Sequence, residues 1–358
     1  MIALNSPLKP DLKKLNKYLE RVNDSGWFTN FGPLQNELTA KLEDYLGVKN
    51  LLLVNNGTAA LQVAGRTLGS ESILSTPFSF VATASAFKWQ KDELAFADIH
   101  RASYNLCPSA VASAYQKGCK ADTVVATHVY GNPCDVSAFD ALRQENNFRI
   151  IYDAAHAFGI KLAGSSVLNH GDASTLSFHA TKIFHTVEGG AIVFKSSADF
   201  DKAKELINFG MSPDSGIVGV GINAKLNEYQ AAVGLVNLEQ IDDVLDHRAE
   251  LFHQYREGLN DVVELQQWHP EANANGSYMP IKLESAEHLA KIVQALDLNN
   301  IQSRHYFSPS LDKVFENSFS YGVESSHEVS EGILCLPLHA GLSLESVDTV
   351  CQVIRQNT

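Results

Sequence analysis

The chain has 358 residues, of which 45% are hydrophobic and 19% charged, with 28 basic against 41 acidic side chains and a formal charge of −13. A chain of this length suggests about two domains, each with enough apolar surface for a core, which excludes disorder, collagen and a disulfide-stapled mini-fold. Its acidic balance, with no Lys/Arg cluster, lacks the electrostatic footprint of a nucleic-acid binder or of a protein docked on an anionic membrane, so any phosphate it holds must be gripped locally.

Residues 1–25 read as an arm or helix. They lack a basic segment followed by an apolar one, and no stretch of the chain approaches about 18 uninterrupted apolar residues, so a cytoplasmic protein is expected. From about residue 50 to 195, short apolar or β-branched runs alternate with helix-length segments: Leu51–Val54, Ile73–Thr76, Leu94–Phe96, Thr123–Ala126, Arg149–Tyr152, Leu176–Phe178 and Ala191–Phe194. Such runs read as buried strands of a mostly parallel sheet flanked by helices, an α/β fold. Leu226, Tyr229, Val233, Val236, Ile241 and Val244 recur at helical spacing and predict one long helix from about 225 to 260. The expected organisation is a large domain over 26–240, then a linking helix and a small C-terminal α/β domain over 241–358. Five cysteines, an odd number with no C-x-x-C pair, suit reduced thiols.

In open sheets of this class ligands sit beyond the carboxyl ends of the strands, so the residues just after each run deserve the closest reading. After the first comes Asn56-Gly57-Thr58-Ala59, a turn into a helix whose free N–H groups and dipole suit a phosphate, although a capped helix start with nothing bound fits equally. After the fifth comes Asp153-Ala154-Ala155-His156. A carboxylate in a dry, ligand-facing place calls for a cation or donor, which the ligand can supply, although an N-cap explains Asp153 as well. Asp153 and His156, with His179 or His185, match no zinc spacing, and no metal is expected. Between the last two runs lies Ser177-Phe178-His179-Ala180-Thr181-Lys182, followed by Glu188-Gly189-Gly190. A lysine constrained among Phe178, Ile183 and Phe184 is expected to have a lowered pKa, as Schiff-base chemistry requires. A phosphate cradle, a carboxylate able to pair with a protonated pyridine and a buried lysine, in that order, are the parts needed to hold pyridoxal phosphate.

These segments, together with Gly221-Ile222-Asn223 and Asn227-Glu228-Tyr229-Gln230-Ala231-Ala232, resemble the sugar-nucleotide aminotransferases of the aspartate-aminotransferase (fold-type I) superfamily, from about residue 25 to the C-terminus. The resemblance implies that Lys182 forms the Schiff base with pyridoxal phosphate and carries the proton in transfer, and that Asp153 pairs with the pyridine nitrogen. It places Gly57, Thr58, Ala59 and Ser177 on the phosphate, Phe80 stacked on the ring and His156 beside it. Asn223 would reach the phosphate in the partner subunit, so a homodimer with shared sites is expected. Thr29, in the Trp27–Pro33 segment, and His179, with His305 and Tyr306 in the Arg304–Pro309 turn, are the expected substrate residues. Two positions depart from the pattern: Asn56 where serine is common, and Lys225 where arginine is common, a point charge in place of a planar fork.

Glu188-Gly189-Gly190 resembles members that aminate C4 of a 4-keto-6-deoxy sugar nucleotide, whereas a Gly-Asp-Gly/Ala-Gly pattern is commoner for C3. The reaction so implied takes the amino group of L-glutamate to a dTDP-linked keto sugar for surface polysaccharide such as O-antigen, with C3 amination as the alternative. A related dehydratase is disfavoured because those replace the lysine with histidine. A decarboxylase or aldolase needs a separate carboxylate anchor that the sequence does not offer. A non-catalytic regulatory protein that binds the same coenzyme finds no support in a DNA-binding motif or basic face.

Overall fold

The computed structural model describes residues 1–358. In chain order it comprises α1 (Leu12–Ser25), α2 (Pro33–Leu46), β1 (Leu51–Val54), α3 (Gly57–Leu68), β2 (Ser72–Ser75), α4 (Val81–Trp89), β3 (Glu93–Phe96), α5 (Pro108–Gln116), β4 (Thr123–Thr127), α6 (Val136–Asn146) and β5 (Arg149–Asp153). A short hairpin, β6 (Lys161–Leu162) and β7 (Ser165–Ser166), precedes β8 (Ala173–Ser177), β9 (Gly190–Phe194) and α7 (Ser197–Leu206). A second hairpin, β10 (Met211–Ser212) and β11 (Gly216–Ile217), leads to α8 (Glu228–Leu238) and α9 (Ile241–Leu259). The remainder is β12 (Glu264–Leu265), β13 (Met279–Lys282), α10 (Ala286–Leu298), α11 (Leu311–Val314), β14 (Phe319–Ser320), α12 (Glu324–Gly332), β15 (Ile333–Leu336) and α13 (Leu344–Arg355).

All seven apolar runs predicted as strands form strands, and they join one eight-stranded sheet in the order β1-β9-β8-β5-β4-β2-β3-β14. Only β9 runs against its neighbours, pairing antiparallel with both β1 and β8. The sheet is covered on both sides, which is why β1 is apolar at every position rather than alternating. Leu51 and Leu53 join one core with Val193, Leu38 and Leu235, while Leu52 and Val54 join the opposite one with Ile192, Ala60 and Phe87. The ends of β1, β5 and β8 therefore open on one edge, where Asn56, Asp153 and Ser177 meet.

The single long helix expected over 225–260 is two helices, α8 and α9, separated at Glu239 and Gln240. Asp242 and Asp243 open the first turn of α9, where negative charge complements the helix dipole, and a continuous apolar stripe runs through the break because both helices bury it. Beyond α9 a separate core gathers Leu251, Tyr255, Met279, Ile292 and Val350 around the three-stranded sheet β12-β13-β15. Two later segments return to the large sheet: β14 pairs with β3, and Phe307 packs with Phe78, Tyr104 and Tyr130.

Residues ahead of α1 lie along the lysine-bearing turn and the C-terminal part. Ile2 bridges to Ile301, Asn5 Nδ2 donates to the Thr181 carbonyl at 2.9 Å, and His185 Nε2 lies 2.8 Å from the Leu8 carbonyl. Helix α1 itself is capped by Asp11, whose carboxylate accepts from the Lys13 and Lys14 N–H groups. No helix is long and apolar enough to cross a membrane.

Candidate active site

A cavity of about 310 Å³ lies at the sheet edge, at the lower end of the size expected of a small-molecule site. Three strand ends build its polar floor. At the first, Asn56 caps α3 by accepting the Ala59 N–H on Oδ1 at 2.7 Å. The Gly57 and Thr58 N–H groups stand ahead of the first helical bond and face no partner within the helix. Ser177, at the end of β8, closes the cradle from the other side. A Cβ on Gly57 would lie 2.8 Å from the Ser177 Cβ, so only glycine lets the two segments approach this closely. Ala59 belongs to the core through its methyl group and has its N–H engaged by Asn56, so it offers no free donor.

At the second strand end Asp153 is buried, accepting from Thr83 Oγ1 at 2.7 Å and from the Ala155 N–H at 3.2 Å. Burial pushes its pKa above the usual carboxylate value, opposed by the Thr83 and Ala155 hydrogen bonds and by the charge of Lys182.

At the third, the turn after β8 carries Lys182, whose N–H donates to the His179 carbonyl at 2.8 Å. Burial lowers the Lys182 amine to about 8, while the negative charge of Asp153 works in the opposite direction. The ammonium position is 6.0 Å from the Tyr278 ring centre and forms no hydrogen bond or ion pair. Phe178 and Phe184 beneath the turn pack edge to face, with centroids 4.9 Å apart, and fix its backbone.

An aromatic wall completes the cavity. His156 stacks against Phe307 at 5.9 Å, meets Tyr278 edge-on at 4.7 Å, and accepts the Tyr130 N–H on Nδ1 at 3.2 Å. Burial, with the nearby Lys182 charge, holds its pKa well below the ordinary histidine value, so it is a neutral ring. Phe80, the N-cap residue of α4, also lines the cavity, is 52% exposed and pairs with no other aromatic side chain. At the mouth His179 Nε2 lies 3.6 Å from Glu188 Oε1, and its Nδ1 accepts the Thr181 N–H.

Of the residues singled out in the sequence, the structure brings Gly57, Thr58, Phe80, Asp153, His156, Ser177, His179, Lys182 and Tyr306 onto this one cavity. Thr29 and Asn223 are exposed and lie outside its lining. His305 faces a separate shallow groove beside Leu289, Val293 and Leu298. Phe307, from the Arg304–Pro309 turn, also lines the cavity, as do Ser79, Thr83, Thr127 and Tyr278, which the sequence does not single out. Thr83 carries no local mark beyond its place just inside a helix, and Tyr278 arrives from a segment more than 90 positions beyond the lysine.

The arrangement can hold a molecule with an anion at one end, a flat ring in the middle bearing a basic nitrogen, and a carbonyl within reach of an amine. Its residues fit pyridoxal phosphate: the Gly57 turn meets Ser177 in close contact and leaves the Gly57 and Thr58 N–H groups without helical partners, and the buried Asp153 carboxylate has no cationic hydrogen-bond partner. The fold and this constellation define an enzyme of the α/β aminotransferase class.

Comparison with known proteins identifies the family. The chain belongs to the DegT/DnrJ/EryC1/StrS aminotransferase family, whose model matches residues 11–355. It is 38% identical to the dTDP-4-amino-4,6-dideoxy-D-glucose transaminase of Shigella dysenteriae, over 99% of this chain and 98% of that protein. It is 30% identical to the GDP-perosamine synthase of Vibrio cholerae, over 95% of each chain. Among solved structures it superposes on DesI, determined in the presence of its TDP-sugar product, with a TM-score of 0.92 and 28% identity over 99% of this chain and 92% of that one.

Proposed function

We propose that this enzyme uses pyridoxal phosphate, held in the cavity between Gly57 and Asp153, to move the amino group of L-glutamate to C4 of a dTDP-linked 4-keto-6-deoxyhexose. The expected product is a dTDP-4-amino-4,6-dideoxyhexose destined for surface polysaccharide such as O-antigen. The observation that carries the reading is an amine lowered to about 8 sharing one cavity with a buried carboxylate and the unpartnered N–H groups at the start of α3. Full-length similarity to the Shigella transaminase supports the nucleotide sugar and the position aminated.

The coenzyme, when bound, supplies a carbonyl for amine exchange and a protonated ring that draws electrons from the reacting carbon. The chain's residues do the rest. Gly57, Thr58 and Ser177 would hold the phosphate through N–H and hydroxyl groups, and Phe80 and His156 would lie beside the ring. Asp153 keeps the ring nitrogen protonated. Lys182 Nζ would take the proton from the carbon that bears nitrogen and deliver it to the carbon on the other side of that nitrogen, a step worth roughly 10²–10⁴-fold. His179 and Tyr306 border the mouth, where the sugar must enter.

We read the working unit as a homodimer. Ile217, Val218 and Val220 stand exposed on and beside the β10–β11 hairpin, with Phe209, Ile222 and Asn223 near its base. A second chain covering that hairpin accounts for its apolar face. It also gives Asn223 and Thr29 a role that neither has within one protomer. Cytoplasmic residence is consistent with five free cysteines, four of them buried.

Adding pyridoxal phosphate to the purified protein should produce an absorbance band that borohydride fixes onto Lys182 in a peptide map. In a separate, unreduced sample L-glutamate should bleach the band, and a dTDP-4-keto-6-deoxyhexose should yield an amine at C4 by NMR. An adduct at another lysine would overturn the site. No response to glutamate, with response to another donor, would overturn the donor, and an amine at C3 would overturn the regiochemistry.

A further inference from the structure

The carboxylate at the end of β5 is the last member of a series of buried hydroxyls. Thr83 Oγ1 donates to Asp153 Oδ2 at 2.7 Å, Ser79 Oγ lies 2.8 Å from Thr83 Oγ1, and Thr127 Oγ1 lies 3.0 Å from Ser79 Oγ. All four residues are at most 6% exposed, and all four line the cavity. They come from separate places in the chain: the loop after β2, the first turn of α4, the end of β4 and the end of β5.

Each hydroxyl has one proton to give. Thr83 gives its proton to the carboxylate, so it can only accept from Ser79. The Ser79 proton is thereby committed, and Ser79 accepts from Thr127, whose hydroxyl has no other partner. Reversing the Ser79 proton would leave Thr83 short of a donor and two hydroxyls competing for one gap. Only one direction satisfies every member, from Thr127 through Ser79 and Thr83 to Asp153. Hydroxyls in series polarise one another in a dry interior, so the bond reaching Oδ2 is stronger than an isolated one. The other oxygen, Oδ1, has only the Ala155 N–H at 3.2 Å.

We propose that Thr83, Ser79 and Thr127 are positioning residues that act through Asp153: their aligned hydroxyls hold it as an oriented anion, so that the proton it shares with a bound pyridine stays on the ring nitrogen. This rests on the coenzyme assignment made above. The physical need is plain, because burial makes this carboxylate more basic than usual and the Thr83 hydrogen bond opposes that. Without the series, the carboxyl group would take the proton and the ring would lose the charge that draws electrons from the reacting carbon.

The test is the ¹⁵N signal of ring-labelled pyridoxal phosphate bound to the full-length protein, read beside the melting temperature of each coenzyme-free variant. Thr83→Val should move the signal toward that of a neutral pyridine, with the proton ratio changing about 10- to 100-fold, the size of a lost hydrogen bond to a charged group. Thr127→Val, two hydroxyls away, should move it less and in the same direction, and Thr83→Ser should restore it. A Thr83→Val signal at the wild-type position would overturn the proposal. So would a Thr127→Val variant that lowers the melting temperature while leaving the signal unmoved, and this second variant decides the matter if the first does not fold. A wild-type protein that gives no bound ring signal at all would instead overturn the coenzyme assignment.

Discussion

At Lys182 the burial that lowers the amine also burdens the coenzyme-free fold. The amine falls from an ordinary 10.5 to about 8, so between those values the unfolded chain holds a proton that the folded chain has released. Stability of the coenzyme-free protein therefore increases as pH rises through this window, and the penalty is greatest below about pH 8. Lys182→Met should remove it, stabilising the coenzyme-free protein at neutral pH by at most about 3 kcal/mol. Calorimetry at pH 7 and pH 10 tests this, with the gain shrinking at the higher pH. Turnover should be abolished in the same variant, and coenzyme should remain only non-covalently bound.

Among the elements, α2 depends on a residue far away in the chain. Its first N–H groups are capped by Glu228 of α8, whose carboxylate accepts from Leu34 and Gln35 at 2.8 Å each. The contact requires Gly32, since a Cβ there would come within 2.5 Å of the Glu228 Cδ. Glu228→Ala would orphan two buried donors, an expected loss of about 2–4 kcal/mol visible as a lower urea midpoint at unchanged slope. This cap was not legible in the sequence, where Glu228 is one letter in the segment after Asn223. The strands were legible because most are buried on both faces and so spell a short apolar run, β3 with its exposed Glu93 being the exception. Asp153 stood out because it follows such a run directly, and Lys182 because it sits on the short connection between the last two runs, among Phe178, Ile183 and Phe184. Thr83 and Tyr278 enter the site through packing between distant segments, and no local periodicity encodes that. The break between α8 and α9 was hidden for the opposite reason: its apolar stripe continues across the interruption.

At the scale of the whole molecule, the exposed hairpin is the feature with the clearest consequence. Replacing Val218 and Val220 by Asp should place two charges on its apolar face and yield monomers in sedimentation velocity. If two chains complete each site, the same change should also cut turnover by 10-fold or more without altering the melting of the isolated fold; a dimeric, fully active variant would remove the hairpin from the assembly. The strand of chain ahead of α1 has a different bearing, on timing. Its partners at Thr181, His185 and Ile301 lie 176, 177 and 299 positions downstream. Asn5 and Leu8 can therefore settle only once the ribosome has made Thr181 and His185, and Ile2 only after Ile301, so the turn that carries Lys182 is made well before the far end of its brace can lock.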